Sequence, residues 1–327
     1  MSHSAHSFAV LAMLAIGSSC SAPGGPEVRL TIRKGSPFRE AAESLAAHGV
    51  VRSGRVFAFY AKLRRHDRTL RYGTYILRQE MTWEQTLEAL RAGRGIVHTV
   101  TVPEGQALAE IAPMLAEALE VPPESIDVAV RDSALRHRLD VPTPTIEGYL
   151  FPDTYTFADR TSARDVVRAM VDRFENVWKP GWNDRLRETR LSRHDVVTLA
   201  SIVEKEVQRG EERPVVAAVY LNRLRIGMEL QADPTVTYAL GKKPGRVTLK
   251  DLRVKSPYNT YLVRGLPPGP IASPGAASLE AALFPAKVGY RFFVAAPDGH
   301  HEFRRTYAEH LAAIQMVRRA ARDSSKP

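Results

Sequence analysis

From Leu199 to Val207 the chain reads Leu-Ala-Ser-Ile-Val-Glu-Lys-Glu-Val, an apolar helical run ending in two carboxylates, Glu204 and Glu206. Val196, Val197, Leu199, Ala200, Ile202 and Val203 supply hydrocarbon around them. Surface helices rarely set glutamate against such neighbours, because an ionised carboxylate there loses hydration. A glutamate kept protonated near neutral pH is what general acid catalysis requires. Moving a glutamate from about 4.3 to about 6.5 costs about 3 kcal/mol of preference for the charged form, which partial burial supplies. The competing reading is an exposed helix end whose glutamate pairs with Lys205 or an arginine. A helix turns about 100° per residue, so Glu204 and Glu206 point roughly 200° apart. Spacing alone does not separate them.

A chain of 327 residues holds about two domains, and 44% apolar content is enough for a sizeable core. Lys plus Arg exceed Asp plus Glu by 46 to 36, a net +10. That balance favours acidic partners, such as nucleic acid, anionic lipid or a polymer bearing carboxylates. The cations are spread out, without a Lys/Arg tract, zinc-finger or RNP pattern, which argues against nucleic acid. His300, His301, Glu302 and His310 cluster in sequence but lack HExxH or paired-ligand spacing, so no metal is expected. Gly265–Gly275 holds too many prolines to cradle phosphate, and no cofactor is expected.

The start of the chain reads as a targeting segment. Phe8–Ile16 is a short apolar run, about half of the roughly twenty residues a spanning helix needs. It suits a secretory h-region. Cys20, the only cysteine, follows where a bacterial lipoprotein carries its lipidated residue, although Gly17 replaces the usual Leu and His3 and His6 replace Lys or Arg. A lipid anchor at Cys20 is the expectation, against a retained helix or simple cleavage. One cysteine excludes a disulfide framework and a Cys-based zinc site.

The remainder predicts an α+β chain in three stretches: a leader and linker over 1–26, a small βα domain over 27–102, and a larger, helix-rich domain over 103–327. Val28–Ile32 alternates as a strand, Phe38–His48 has helical spacing, and Tyr72–Leu77 reads as a second strand. Thr82–Ala92 is a helix with Thr82 as N-cap and Gln85 three residues on. A second strand-helix phrase starts at Thr99-Val-Thr-Val-Pro-Glu-Gly105, weakened by Pro113 within its helical pattern. Further helices are expected over Asp165–Val177, from a Ser192–Asp195 capping box to about Gln208, from Pro214 through Ile226, and over Tyr307–Arg322. Phe292–Ala295 and His301–Phe303 read as a hairpin.

Around the glutamate helix stand Ile146-Glu-Gly-Tyr-Leu-Phe-Pro-Asp-Thr-Tyr155, Val219-Tyr-Leu-Asn-Arg-Leu-Arg-Ile-Gly-Met-Glu-Leu-Gln-Ala-Asp-Pro-Thr-Val236, Ser256-Pro-Tyr-Asn-Thr-Tyr261 and Gly265-Leu-Pro-Pro-Gly-Pro-Ile-Ala-Ser-Pro-Gly275. This ordered series resembles the endolytic murein transglycosylases of bacteria, the YceG-like or MltG family, strongly over about 98–315 and loosely over 27–97. The resemblance implies a LysM-like first domain, read either as a glycan-binding module or as a packing domain. It implies a catalytic second domain that cleaves the MurNAc–GlcNAc bond and leaves 1,6-anhydroMurNAc ends, limiting nascent strand length. The MurNAc C6 hydroxyl is then the nucleophile, so one carboxyl serves as acid and base where ordinary glycosidases need two. The family match puts that role on Glu204.

For glycan binding the expected residues are Asn259, Tyr258, Gln231, Asp233 and Glu147. Against these stand an Asx turn for Asp233, structural hydrogen bonding for Glu147 and Asp153, and a solvated face or salt bridge for Arg223. The resemblance further implies peptidoglycan strands and synthases as partners, membrane attachment through the N-terminus, and residence in the envelope on the periplasmic side of the inner membrane. The rival reading is a non-catalytic peptidoglycan-binding scaffold of the wall-synthesis machinery.

Overall fold

The computed structural model describes residues 25–323, apart from Lys243, Pro244 and Arg246. Cys20 and the apolar run before it lie outside the described residues. The described chain forms two compact units that divide after Val97, five residues before the boundary expected from sequence. The division falls within the strand Ile96–Thr101.

The first unit contains β1 (Glu27–Ile32), α1 (Phe38–Ala47), α2 (Gly54–Leu63), β2 (Gly73–Arg78) and α3 (Trp83–Ala92), and the start of β3 (Ile96–Thr101). β1 and β2 pair antiparallel from Glu27↔Arg78 to Ile32↔Gly73, and Tyr75 of β2 stands opposite Ile96. Leu30 and Ile32 point inward at period two, onto Leu45, Phe57, Tyr75 and Leu90. The Thr82–Gln85 capping box opens α3 as its sequence predicts, with both reciprocal bonds made.

The second unit continues through α4 (Leu108–Leu119), α5 (Pro123–Ala129), α6 (Ser133–Arg138), β4 (Thr154–Ala158), α7 (Ala163–Val177), α8 (Pro180–Thr189), α9 (Arg193–Glu206), α10 (Arg213–Arg225), α11 (Asp233–Ala239), α12 (Ala276–Leu283), β5 (Phe292–Ala295), β6 (His301–Arg304) and α13 (Tyr307–Asp323). α4 runs straight through Pro113, because Ile111, Ala112, Leu115, Ala116 and Leu119 are buried on both sides of it. Tertiary packing there outweighs the lost backbone bond. β5 and β6 form the expected hairpin, with Phe293 opposite Phe303.

α9 is the central element. Every residue from Val196 to Val203 is buried, as an apolar run without a polar face requires. Ser192 and Asp195 close its capping box. The helix ends at Glu206, so the second glutamate is its last residue. α10, with Pro214 in its first turn, and α12 pack beside it in the same core.

Candidate active site

One face of α9 is covered by the proline-rich loop 265–275. His194 Nε2 donates to the Pro268 carbonyl at 2.9 Å, the Ile271 amide donates to Ser201 Oγ at 3.0 Å, and the Gly275 amide donates to Glu204 Oε2 at 3.0 Å. Positions 194, 201 and 204 fall on one helical stripe. The loop approaches so closely that Gly148, at φ +83°, has room for no side chain: a Cβ there would lie 2.4 Å from Pro270 Cβ. Glu204 is the last attachment of this ladder.

Its second oxygen, Oε1, accepts from Arg213 Nη2 at 3.1 Å, and only 7% of the side chain is exposed. Arg213 also donates from Nε to Ser278 Oγ. Gly275 is the N-cap of α12, so Glu204 meets the positive end of a helix. Glu104 stands beside the pair, 4.0 Å from Arg213. Burial raises its carboxyl above the usual range, the Glu204 charge adds to this, and Arg213 opposes it. Glu104 was legible in the Val-Pro-Glu-Gly phrase, but nothing in that phrase announces that it meets Gly275.

Glu206 points away from this ladder, as the helical pitch requires. It lines a cavity of about 290 Å3 with Arg223, Gln231, Asp233, Tyr261 and His301. Burial pushes its carboxyl up to about 7, the charge of Asp233 adds to the rise, and Tyr220 and Arg223 oppose it. Part of the side chain remains accessible, yet Oε2 is sealed from solvent and has no hydrogen-bond partner. Tyr220 faces it closely enough to act on its proton affinity, but the Tyr220 hydroxyl is also outside hydrogen-bond geometry. Burial beside the Asp233 charge favours the protonated acid.

The two carboxyls thus serve different surroundings: Glu204 meets the proline-rich loop and Arg213, and Glu206 faces the cavity. Glu204 accepts from the Gly275 amide of the loop on one oxygen and from Arg213 of α10 on the other. Glu206 has the environment that general acid chemistry calls for.

The cavity wall is preorganised. Gln231 takes φ +51°, a strained conformation for a residue with a side chain, and its amide donates to the Thr260 carbonyl. Asp233 is no Asx turn; it opens α11 and accepts the Tyr261 hydroxyl at 2.6 Å. Arg223 is not solvated: it is buried and donates to the carbonyls of Arg291 and Leu230. His301 gives both its amide and its ring Nδ1 to Glu212, at 2.9 and 2.6 Å. A carboxylate only accepts, so Nδ1 is the donor in this contact. His301 was not singled out from sequence for this site.

Three other sequence-based candidates lie elsewhere. Asn259 is buried; its amide nitrogen donates to Leu252 and Val254 carbonyls and its oxygen accepts from Tyr261, which leaves no atom for a sugar. Glu147 is buried outside the cavity, where it accepts the Leu108 amide at the start of α4 and the Tyr238 hydroxyl. Burial pushes it up to about 7. Tyr258 packs its ring on Tyr238, with centroids 4.9 Å apart. Residues 147, 258 and 259, expected to contact glycan, therefore do not line this cavity. Asp153 likewise serves structure, held by Arg173 at 2.7 Å.

Comparison with known proteins places residues 30–316 on the model of the YceG-like family. The chain is 34% identical over 302 residues to an endolytic murein transglycosylase of Bacillus subtilis, covering 88% of this chain and 83% of that protein. A protein of the same name from Streptococcus pneumoniae is 30% identical over 306 residues, covering 82% of this chain and 54% of that protein. A crystal structure of a YceG-like protein from Listeria monocytogenes superposes with TM-score 0.64 at 32% identity, covering 88% of this chain and 98% of that one.

Proposed function

Because this chain belongs to the YceG-like family, we propose that it is an endolytic murein transglycosylase whose acid is Glu206. The observation that carries the residue assignment is the sealed, unpartnered Oε2 of a carboxyl raised to about 7. Protonated Glu206 gives its hydrogen to the oxygen bridging MurNAc and GlcNAc. The carboxylate left behind takes the proton of the MurNAc C6 hydroxyl as that oxygen attacks C1. A 1,6-anhydro ring closes, the proton is restored, and no water is consumed. The sugar supplies the nucleophile, so a second carboxylate is not required.

Gln231, Asp233 and Arg223 supply amide, carboxylate and guanidinium groups in the same cavity, a set that suits hydroxyl, N-acetyl and carboxylate groups of a glycan. Residence in the envelope, attachment through the N-terminal segment with Cys20, a glycan-binding LysM-like first unit and a peptidoglycan synthase as partner belong to the same reading.

Digestion of purified sacculi by the wild type, Glu206→Gln and Glu204→Gln, with products read by mass, tests it. Anhydro ends from the wild type and Glu204→Gln but not from Glu206→Gln support the proposal. Binding of sacculi without product from any of the three proteins supports a non-catalytic scaffold instead.

A further inference from the structure

α2 carries the most exposed apolar stripe of the first unit. Gly54, Phe57 and Ala61 turn inward, and Gly54 is pressed on α1, where a Cβ would meet the Ala42 carbonyl oxygen at 2.7 Å. The opposite side leaves Val56, Phe59 and Leu63 exposed by 47%, 69% and 72%. Steps of three and four residues keep them on one stripe. α2 is thus a fixed platform that holds three large hydrocarbon side chains in water.

The stripe is bordered by cations. Arg52, Arg55, Lys62, Arg64, Arg65 and Arg68 are all exposed, and the only carboxylate between positions 52 and 68 is Asp67, so the segment carries six minus one, or +5. From a neighbouring helix Glu84 approaches Arg64 at 3.7 Å, with both groups more than half exposed, and contributes little in water. Such a face fits one class of surface well. Long basic side chains lay their stems along hydrocarbon and hold their charges at phosphate level, while aromatic and aliphatic tips enter the acyl boundary. A protein groove would satisfy the stripe alone; an anionic bilayer satisfies the stripe and the charges together. The apolar run Phe8–Ile16 precedes β1 by ten residues, so a membrane-directed leader and α2 address the same surface. Among the described residues no helix is long and apolar enough to cross a membrane, which leaves a peripheral contact as the form of engagement.

We propose that α2 is a membrane-docking face, with Phe59 and Leu63 seated among the lipids of an anionic bilayer and the surrounding arginines and lysine on its phosphates. This is independent of which glutamate is the acid. In the full chain carrying Cys20→Ser, an environment-sensitive dye is attached at Leu63→Cys, or at Glu124→Cys as a control on the exposed surface of the second unit. Vesicles with about 30% phosphatidylglycerol blue-shift the dye at 63, and brominated acyl chains quench it. Pure phosphatidylcholine vesicles, or about 0.5 M salt, diminish both effects. The dye at 124 does not change. Adding Arg55→Gln and Lys62→Gln weakens the partition by about fivefold each, about 25-fold together. If the chain sediments with vesicles while the dye at 63 still reports water, the leader alone holds the membrane and the proposal fails. A concentration-dependent shift without vesicles overturns it in favour of a second copy.

Discussion

Replacing Glu206 by Gln, and following activity against pH, tests the electrostatic heart of the site. The carboxyl lies at about 7 instead of 4.5, a difference of about 2.5 pH units and thus about 3 kcal/mol in favour of the neutral form. A general acid works only while it holds its proton. With a value of about 7, about half of the molecules are competent at pH 7, about a tenth at pH 8 and about a hundredth at pH 9. The alkaline limb of kcat/KM on sacculi or a soluble glycan should therefore fall tenfold per pH unit above about 7. Glu206→Gln keeps the shape of the side chain and removes the proton donor, so the rate should drop by about 10²- to 10⁴-fold at every pH. Asp233→Asn removes a charge that raises Glu206, and should move the limb toward acid. A profile flat to about pH 9, or a Glu206→Gln enzyme within about tenfold of wild type, would refute the reasoning.

The remaining expectations concern the scaffold. Glu204→Gln keeps one acceptor but loses the charge facing Arg213, and should cost about 1–3 kcal/mol in thermal unfolding while leaving activity within about tenfold. Glu147 is held at about 7 by burial, so the stability this gives is complete below about 4.5 and is lost as pH rises through 7. Glu147→Gln should therefore match wild type near pH 4 and exceed it by up to about 3 kcal/mol at pH 8, read by urea titration. Gly148→Ala combines a left-handed backbone with a 2.4 Å approach to Pro270, and should cost about 2–4 kcal/mol. Gly275→Ala meets only the Glu104 carboxyl, whose side chain is half exposed, and should cost less than about 1 kcal/mol because that end swings aside.

Where local pattern and tertiary role coincide, sequence reading succeeds. β1 alternates because one face is core, α3 is announced by a capping box, and α9 by an apolar run too dense for a surface. α2 escaped notice because Val56, Phe57, Phe59, Tyr60 and Leu63 surround much of the helix, which blurs its inward stripe. The helical pitch separates Glu204 from Glu206 but does not say which faces the cavity. That depends on Gly275 and Arg213 on one side, and on Gln231, Asp233 and the β5–β6 hairpin on the other. Glu147 looked like a polar group available to a ligand because its partners, the Leu108 amide and the Tyr238 hydroxyl, become neighbours only after folding. Glu104 and His301 owe their importance to contacts of the same long range.

Two glutamates separated by one lysine come to differ through the ends of two helices. Glu204 lies against the first turn of α12, where the free Gly275 amide and the positive pole receive an anion. Arg213 completes that reception. Glu206 is the final residue of α9, at a negative pole that discourages the anion. It has the Asp233 charge nearby and no donor on Oε2. Burial is the largest cause that raises the Glu206 carboxyl, and the Asp233 charge adds to it. A fold that spends Glu204 on the proline-rich loop thereby fixes the last turn of α9, and with it the direction in which Glu206 presents its proton to the cavity. On this account Glu204 acts on the reaction only through position, and its loss should alter the placement of Glu206 without moving the alkaline limb that Glu206 sets.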